Sequence, residues 1–224
     1  MTDPKISLNK LGEYLTASPS RRRRIVQDQQ DPKPFITARY SDARDAIVDF
    51  LASGMSEEEK LLSVAEQLRS DTTGTDFVRQ DRLASADAIE NFLEAADQIE
   101  IEDLTVVPAD SASTASMEVG GVRVSVRPDA YLKNAITDDI VGAIKLHFPK
   151  TTPLNDVSAK YVATTLKVFL SEEQGAEFVD PKKCYVVDVS TQAATCAPKS
   201  FKKNMKDISA ACEEIRARWQ LEKG

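Results

Sequence analysis

Apolar positions recur at helical spacing through about the first hundred residues of the chain. Leu8, Leu11 and Leu15 fall on one face of a helix that follows Ser7. Further helices are predicted over 19–30, 42–54, 56–70 and 76–99. Pro19 is the first residue of the helix over 19–30, and Ser41 is the predicted N-cap of the helix over 42–54. The residues 56–59, Ser-Glu-Glu-Glu, read as a capping box that opens the fourth helix. The pattern therefore predicts a helical first third.

Beyond residue 103 the spacing changes to alternation, which is typical of β-strands. Short strands are predicted over 104–107, 117–119, 122–126 and 140–148, and Gly120-Gly121 between the second and third predicts a two-residue hairpin. An amphipathic helix after Asp156, a strand over 184–189 with a possible hairpin partner over 191–197, and a helix over 200–221 complete the chain. We therefore predict an α/β protein with an all-helical N-terminal segment, 1–72, packed on an α/β core, 73–224.

Composition narrows the class of protein. Of the 224 residues, 42% are hydrophobic and 29% charged, as in soluble globular proteins. No apolar run is long enough to span a membrane, and the first residues lack the pattern of a secretory signal. Three cysteines without metal-type spacing (Cys184, Cys196 and Cys212) indicate a reduced, cytoplasmic setting. The single histidine, His147, excludes histidine-rich metal sites and argues against a catalytic triad.

Charge is distributed unevenly, although the net charge is only −7. Residues 1–30 carry six basic and three acidic groups, including the run Arg21, Arg22, Arg23 and Arg24, whereas residues 42–103 carry five basic and seventeen acidic groups. The arginine run and the C-terminal Lys202 and Lys203 are candidates for phosphate contacts. The acidic region 42–103 is a candidate surface for a protein partner, or simply a solvated face. Few aromatic residues accompany these basic clusters, so no base-stacking platform is expected.

Two residues on successive β runs carry candidate chemistry. Asp129 follows Arg127-Pro128 near the end of one run, and Lys145 lies within the next. An acid beside a lysine on neighbouring strands is what metal-dependent phosphodiester hydrolysis needs: the carboxylate holds a divalent metal and the lysine supports the attacking water or the phosphate. Each also has a structural interpretation. Asp129 could cap a turn, and Lys145 could form a plain salt bridge with it.

From Asp76 onward the elements follow the order helix, strand, strand, strand, helix, strand, helix. With Arg127-Pro128-Asp129 and Lys145, this order resembles the PD-(D/E)XK nuclease superfamily in its RecB-like branch, over residues 76–221. The resemblance implies a restriction-endonuclease-like αβββαβ core. It also implies DNA as the partner, with roles in defence or mobile-element biology.

The resemblance further implies roles for individual residues. Asp129 with Glu90 or Glu94 of the preceding helix would hold Mg²⁺ or Mn²⁺, Asp87 being a weaker choice, and Lys145 would orient water or stabilise charge. Tyr161 and Lys160 stand on the helix that crosses the sheet and would face the nucleic acid.

One residue departs from the family pattern. Ala143 stands where the motif requires Asp or Glu, and alanine cannot bind a metal. Residues 143, 145 and 147 share one face of a strand, so His147 is a candidate substitute ligand or base, or a structural residue. Three hypotheses follow: a metal-dependent deoxyribonuclease or nucleic-acid-binding protein, an inactive nuclease-like subunit of a protein complex, and a helical adaptor whose sheet has no site.

Overall fold

The computed structural model describes residues 3–32, 39–110 and 115–221. The helices are α1 (Leu8–Thr16), α2 (Pro19–Gln30), α3 (Ser41–Ala52), α4 (Glu58–Ser70), α5 (Asp76–Ala96), α6 (Asp156–Glu172) and α7 (Lys202–Leu221). The strands are β1 (Lys5–Ser7), β2 (Leu104–Pro108), β3 (Ser116–Val119), β4 (Val122–Ser125), β5 (Ala130–Asn134), β6 (Ile140–His147), β7 (Cys184–Asp188) and β8 (Ala193–Cys196). A short 3₁₀ turn, Pro181–Lys183, precedes β7. The protein is therefore a mixed α/β structure, as predicted.

The central sheet has five strands in the order β2-β5-β6-β7-β8. Strands β2, β5 and β6 are antiparallel neighbours, β6 and β7 are parallel, and β8 is antiparallel to β7. Parallel neighbours need a long crossover, and α6 supplies it between β6 and β7. Consecutive core elements are thus α5, β2, β5, β6, α6 and β7, with the β3–β4 hairpin inserted after β2.

The second sheet corrects two predictions. The hairpin at Gly120-Gly121 is confirmed, with φ of 57° and 76° at the two glycines, a region that glycine tolerates best. However, β3 and β4 pair with each other, and β4 pairs with β1, so the hairpin belongs to a separate three-stranded sheet and not to the central sheet. The central sheet instead uses β5, which was not predicted. The N-terminal segment is also not all-helical, because β1 lies within it and pairs in parallel with β4.

Hydrophobic side chains form two clusters, one on each face of the central sheet. One cluster includes residues of β1, α1, α2, α6 and α7, and the other includes residues of α3, α4 and α5. Alternation along β6 separates them: Ala143 belongs to the first, and Ile144 and Leu146 belong to the second. Residues 1–72 therefore contribute to both faces of the sheet rather than forming one appended body.

Helix termini follow local chemistry. Ser18 caps α2 by accepting a hydrogen bond from the N–H of Arg21, with Pro19 in the first turn as predicted. Asn155, rather than Asp156, caps α6 by accepting from the N–H groups of Val157 and Ser158. None of the helices in the described part of the chain combines the length and apolar character that crossing a membrane requires.

Candidate functional site

Asp129 and Lys145 lie side by side across two antiparallel strands. Ala130 of β5 pairs with Ile144 of β6, so the preceding Asp129 falls beside the following Lys145. The Lys145 Nζ donates a hydrogen bond to Oδ2 of Asp129 over 2.8 Å. Both side chains are largely buried, with 5% of the Asp129 side chain and 11% of the Lys145 side chain exposed. The sequence prediction that they share one location is thus consistent with the geometry.

Both carboxylate oxygens of Asp129 are engaged. Oδ2 also accepts the backbone N–H of Leu146 at 2.7 Å. Oδ1 lies 2.7 Å from Nε of Arg44, a residue of α3. The N–H of that Nε is not aligned with the oxygen, so the contact is an ion pair rather than a hydrogen bond. One carboxylate therefore faces two cations.

Burial dominates the ionisation of Lys145. Desolvation lowers the pKa of its ammonium group, while Asp129 opposes that change and the positive charges of Arg44 and Arg127 add to it. The Lys145 ammonium group is thus held by Asp129 and lies near the positive charges of Arg44 and Arg127. A bound anion would stabilise its charged form.

A cavity of about 410 Å³ opens beside this pair. We call it the central cavity; its charged lining residues are Arg44, Asp45, Asp49, Asp110, Arg127, Asp129 and Lys145. Asp45 and Asp49 are one helical turn apart on α3, so the acids that approach Asp129 come from α3 and from the end of β2. The predicted source of acids was α5.

Two further cavities share residues with the central cavity. The α1 cavity, about 310 Å³, is lined by Ser7, Leu8, Asn9, Ser125, Arg127 and Lys145. The aromatic cavity, about 700 Å³, is lined by Asn9, Arg39, Tyr40, Arg44, Phe77, Leu146, Phe148, Pro149, Lys150 and Thr151. Among the residues described, neither lining includes a carboxylate. We refer to the three together as the cleft; five cations line it in a protein whose net charge is −7.

Ala143 lies in the hydrophobic core rather than in the cleft. Its exposure is 0%, it belongs to the cluster under α6, and it pairs with Cys184 of β7. A carboxylate here would meet apolar neighbours, and burying an unpaired charge is costly. The departure from the family pattern is therefore accommodated by packing, without an acid placed in its stead on β6.

His147 is bound by structural contacts. Its Nε2 lies 2.8 Å from the carbonyl oxygen of Thr152, which can only accept, so Nε2 carries the proton. Nδ1 is buried and has no hydrogen-bond partner among the described residues. Desolvation lowers the pKa of this imidazole, opposed by Thr152 and by Asp188 at 4.0 Å. His147 does not line any of the three cavities.

The helical acids predicted as metal ligands lie on the surface of α5. Glu90 forms a bidentate pair with Arg69 of α4, and Asp87 contacts both Arg69 and Lys150. Glu94 is exposed. None of the three lines the central cavity, and the structure brings none of them into contact with Asp129.

The other predicted nucleic-acid contacts are dispersed. The Tyr161 hydroxyl donates to Asp207 of α7 at 2.9 Å, and Lys160 is exposed on α6. In the arginine run, Arg21 pairs with Glu13 and Arg22 with Glu214, whereas Arg23 and Arg24 are exposed on α2. Lys202 and Lys203 are exposed at the start of α7. None of these residues lines the cleft.

The carboxylate of Asp129 is not free to hold a Mg²⁺ or Mn²⁺ ion. Its oxygens already face Lys145, Arg44 and the Leu146 N–H, and cations repel a divalent metal. Within 3–32, 39–110 and 115–221, no group of three or more His, Cys, Asp or Glu side chains is arranged to hold a metal ion.

Sequence reasoning missed the cations that define the cleft. Arg39, Arg44 and Lys150 are single basic residues without a motif, and Arg44 lies in the most acidic region of the sequence. Only Arg127 carried a signal, as part of the Arg-Pro-Asp motif. The sequence did not indicate that Tyr40, Phe77 and Phe148 share a cavity, because they come from three separate parts of the chain.

No protein-family model matches the sequence, and no curated protein matches it significantly.

Proposed function

We propose that this protein binds nucleic acid through the cleft and does not cleave it. The observation that carries the proposal is the joined lining of Arg39, Arg44, Arg127, Lys145 and Lys150 in an otherwise acidic protein. Phosphate backbones are bound chiefly by such arginine and lysine side chains.

The order of the core elements supports a nuclease-like scaffold. α5, β2, β5, β6, α6 and β7 follow one another with β2, β5 and β6 antiparallel and β6 and β7 parallel. This is the αβββαβ order that the resemblance to PD-(D/E)XK nucleases implies. Asp129 directly precedes the second of these strands, β5, and Lys145 lies on the third, β6, the region in which the resemblance places the site.

The contacts of Asp129 favour binding over hydrolysis. In a metal-dependent nuclease this carboxylate would be a metal ligand, whereas here Arg44 and Lys145 neutralise it. Ala143 removes the second carboxylate and is packed in the core. The scaffold thus keeps cations that can bind phosphate, whereas the acids that line the central cavity beside Asp129, namely Asp45, Asp49 and Asp110, do not come from the strand that carries the second carboxylate in the family pattern.

Salt dependence of binding tests the proposal. Binding of short labelled DNA strands and duplexes is measured by fluorescence anisotropy between about 50 and 200 mM salt. Arg127 and Lys150 are exposed, so Arg127→Gln and Lys150→Gln should leave the fold intact. Each should weaken binding and reduce the slope of log K against log salt by about 0.7–0.9. Lys182→Gln, an exposed charge outside the cleft, is the matched control and should change nothing.

Two outcomes would contradict the proposal. Absence of salt-sensitive binding to any DNA or RNA would remove nucleic acid as the partner. Nicking of plasmid DNA with Mg²⁺ or Mn²⁺ that is lost in Asp129→Ala and Lys145→Ala would make the protein a nuclease instead.

A further inference from the structure

The aromatic cavity combines flat rings with cations and joins the phosphate-binding part of the cleft. Its rings are those of Tyr40, Phe77 and Phe148, and its cations are those of Arg39, Arg44 and Lys150. Its volume, about 700 Å³, lies in the range of small-molecule sites. An occupant of this lining would be flat and apolar in one part and anionic in another.

The rings and the guanidinium groups already contact one another. Tyr40 stacks on Phe148 with centroids 5.2 Å apart and planes inclined by 12°. The guanidinium of Arg44 lies 5.2 Å from the centre of Phe148, and that of Arg39 lies 4.9 Å from the centre of Phe77. Planar groups of this kind stack on nucleobases without regard to sequence.

Phe77 is the ring that remains open to a ligand. It is 39% exposed, whereas Phe148 is 4% exposed and covered by Tyr40. A large apolar ring at the rim of a cationic cavity is not needed for the core. Phe77 is therefore positioned to contact an entering planar group.

Asn9 supplies a polar group that has no hydrogen-bond partner in the described ranges 3–32, 39–110 and 115–221. Its Oδ1 is buried and accepts no hydrogen bond from the described residues. Asn9 lines both the aromatic and the α1 cavities. A buried acceptor without a donor is costly, and an exocyclic amino group or ring N–H of a base would satisfy it.

Arg44 connects the two functions of the cleft. It lines the aromatic and central cavities, stacks on Phe148 and forms the ion pair with Asp129. A nucleotide whose base enters the aromatic cavity would thus have its phosphate near Arg44 and Lys145. Arg44 would therefore contact both the base and the adjoining phosphate.

From these contacts we infer that the aromatic cavity takes an unpaired nucleobase of a bound nucleic-acid strand. The inference rests on the proposed function and adds its substrate class: strands with unpaired bases rather than closed duplexes. The base stacks at Phe77 and Arg39, and the cations hold the adjoining phosphates.

An abasic strand keeps the sugar-phosphate backbone but lacks the bases, so it distinguishes the affinity that the bases contribute from the affinity that the backbone contributes. A labelled single strand and an abasic strand of equal length and charge are compared by fluorescence anisotropy. The natural strand should bind about tenfold more tightly than the abasic strand. Phe77→Leu should reduce this difference to about twofold while leaving the affinity for the abasic strand unchanged. Phe178→Leu, an exposed phenylalanine outside the cavity, is the matched control and should retain the full difference.

The outcomes distinguish this inference from the proposed function. Salt-sensitive binding that is equal for natural and abasic strands, and unaffected by Phe77→Leu, overturns the inference and leaves nucleic-acid binding in place. Displacement of the strand by a deoxynucleoside monophosphate at an equal concentration also overturns it, because the cavity would then hold a free nucleotide. No binding of any strand rejects the proposed function itself.

Discussion

Two buried aspartates of the central sheet, Asp129 and Asp188, are stabilised in opposite ways. Asp129 precedes β5, is 8% exposed, and faces the side-chain cations Lys145 and Arg44 beside the central cavity. Asp188 ends β7, is 2% exposed, and accepts hydrogen bonds from the Leu154 N–H at 2.6 Å, the Ser190 hydroxyl at 2.7 Å and the Thr191 N–H at 3.1 Å. Burial by itself therefore does not indicate function.

The two carboxylates differ in whether the groups that contact them can move to another anion. The main donors to Asp188 are backbone groups of its own turn and of the segment before α6, which are fixed when the chain folds. The cations on Asp129 end flexible side chains, and 37% of the Arg44 side chain is exposed. They can turn toward another anion, such as a phosphate. Asp188 thus has the contacts of a structural residue, and Asp129 those of a residue that holds binding groups in place.

The largest expected effect comes from removing the structural aspartate. Asp188→Ala leaves the buried N–H of Leu154 without an acceptor and removes the carboxylate's hydrogen bonds with Ser190 and Thr191, so we expect the free energy of unfolding to fall by about 3 kcal/mol. Urea denaturation followed by circular dichroism measures it. Ser190→Ala, which removes one donor only, should cost about 1 kcal/mol. A loss below about 1 kcal/mol for Asp188→Ala would contradict the structural role.

His147, which lies beside Asp188, makes the free energy of unfolding depend on pH. Desolvation lowers the pKa of His147 below its ordinary value of 6.5, so the unfolded chain takes up a proton at a higher pH than the folded protein. This contribution to stability is complete above pH 6.5 and is lost as the pH falls below it toward the folded pKa. The slope is at most about 1.4 kcal/mol per pH unit.

Urea unfolding of the parent and of His147→Gln between about pH 7 and pH 5.5 isolates this effect, since most carboxylates titrate lower. The parent should lose about 1 kcal/mol more than the variant over this range. Parallel pH profiles for the two proteins would show that burial does not hold His147 neutral.

The smallest expected effect concerns affinity. Asp129→Asn keeps the shape and the acceptor for Leu146 but removes one negative charge from the cleft, so Arg44 and Lys145 become available to phosphate. We expect binding of a DNA strand to tighten by roughly fivefold, about 1 kcal/mol. Anisotropy titration at low salt measures it. Weaker binding, particularly in the presence of Mg²⁺, would instead indicate that the carboxylate holds a metal.

Prediction from sequence succeeded where the signal was local. The seven helices follow from apolar spacing, and their bounds differ from the predicted ones by only a few residues, as at the end of α5. The predicted caps at Ser41 and Ser56 were wrong, because α3 and α4 follow Tyr40 and Glu57 without a side-chain cap. The glycine hairpin was found because a tight turn with positive φ has a short signature. Strand β5 was missed because its residues, Ala-Tyr-Leu-Lys-Asn, follow Pro128 and alternate only weakly.

The candidate site was only partly predictable for a related reason. The sequence singled out Asp129 and Lys145 as a pair, but it did not predict β5, the strand that Asp129 precedes, and the predicted strand before Asp129 belongs to the second sheet. The ion pair of Arg44 with Asp129 required α3 to pack beside β2, which no pattern in 41–52 indicates. Likewise, Ala143 reads as a missing ligand in the sequence and as a packed core residue in the fold.

The sequence by itself determined where the helices lie and where the glycine hairpin turns, and it singled out Asp129 and Lys145 as candidates for chemistry. These features depend on contacts between residues close in the chain, whose spacing and conformational preferences are written locally. Tertiary structure alone decided that the β3–β4 hairpin joins β1 through β4, that α3 brings Arg44 to Asp129, and that Tyr40, Phe77 and Phe148 share one cavity. Those arrangements depend on which hydrophobic faces pack together, and many packings satisfy the same local pattern.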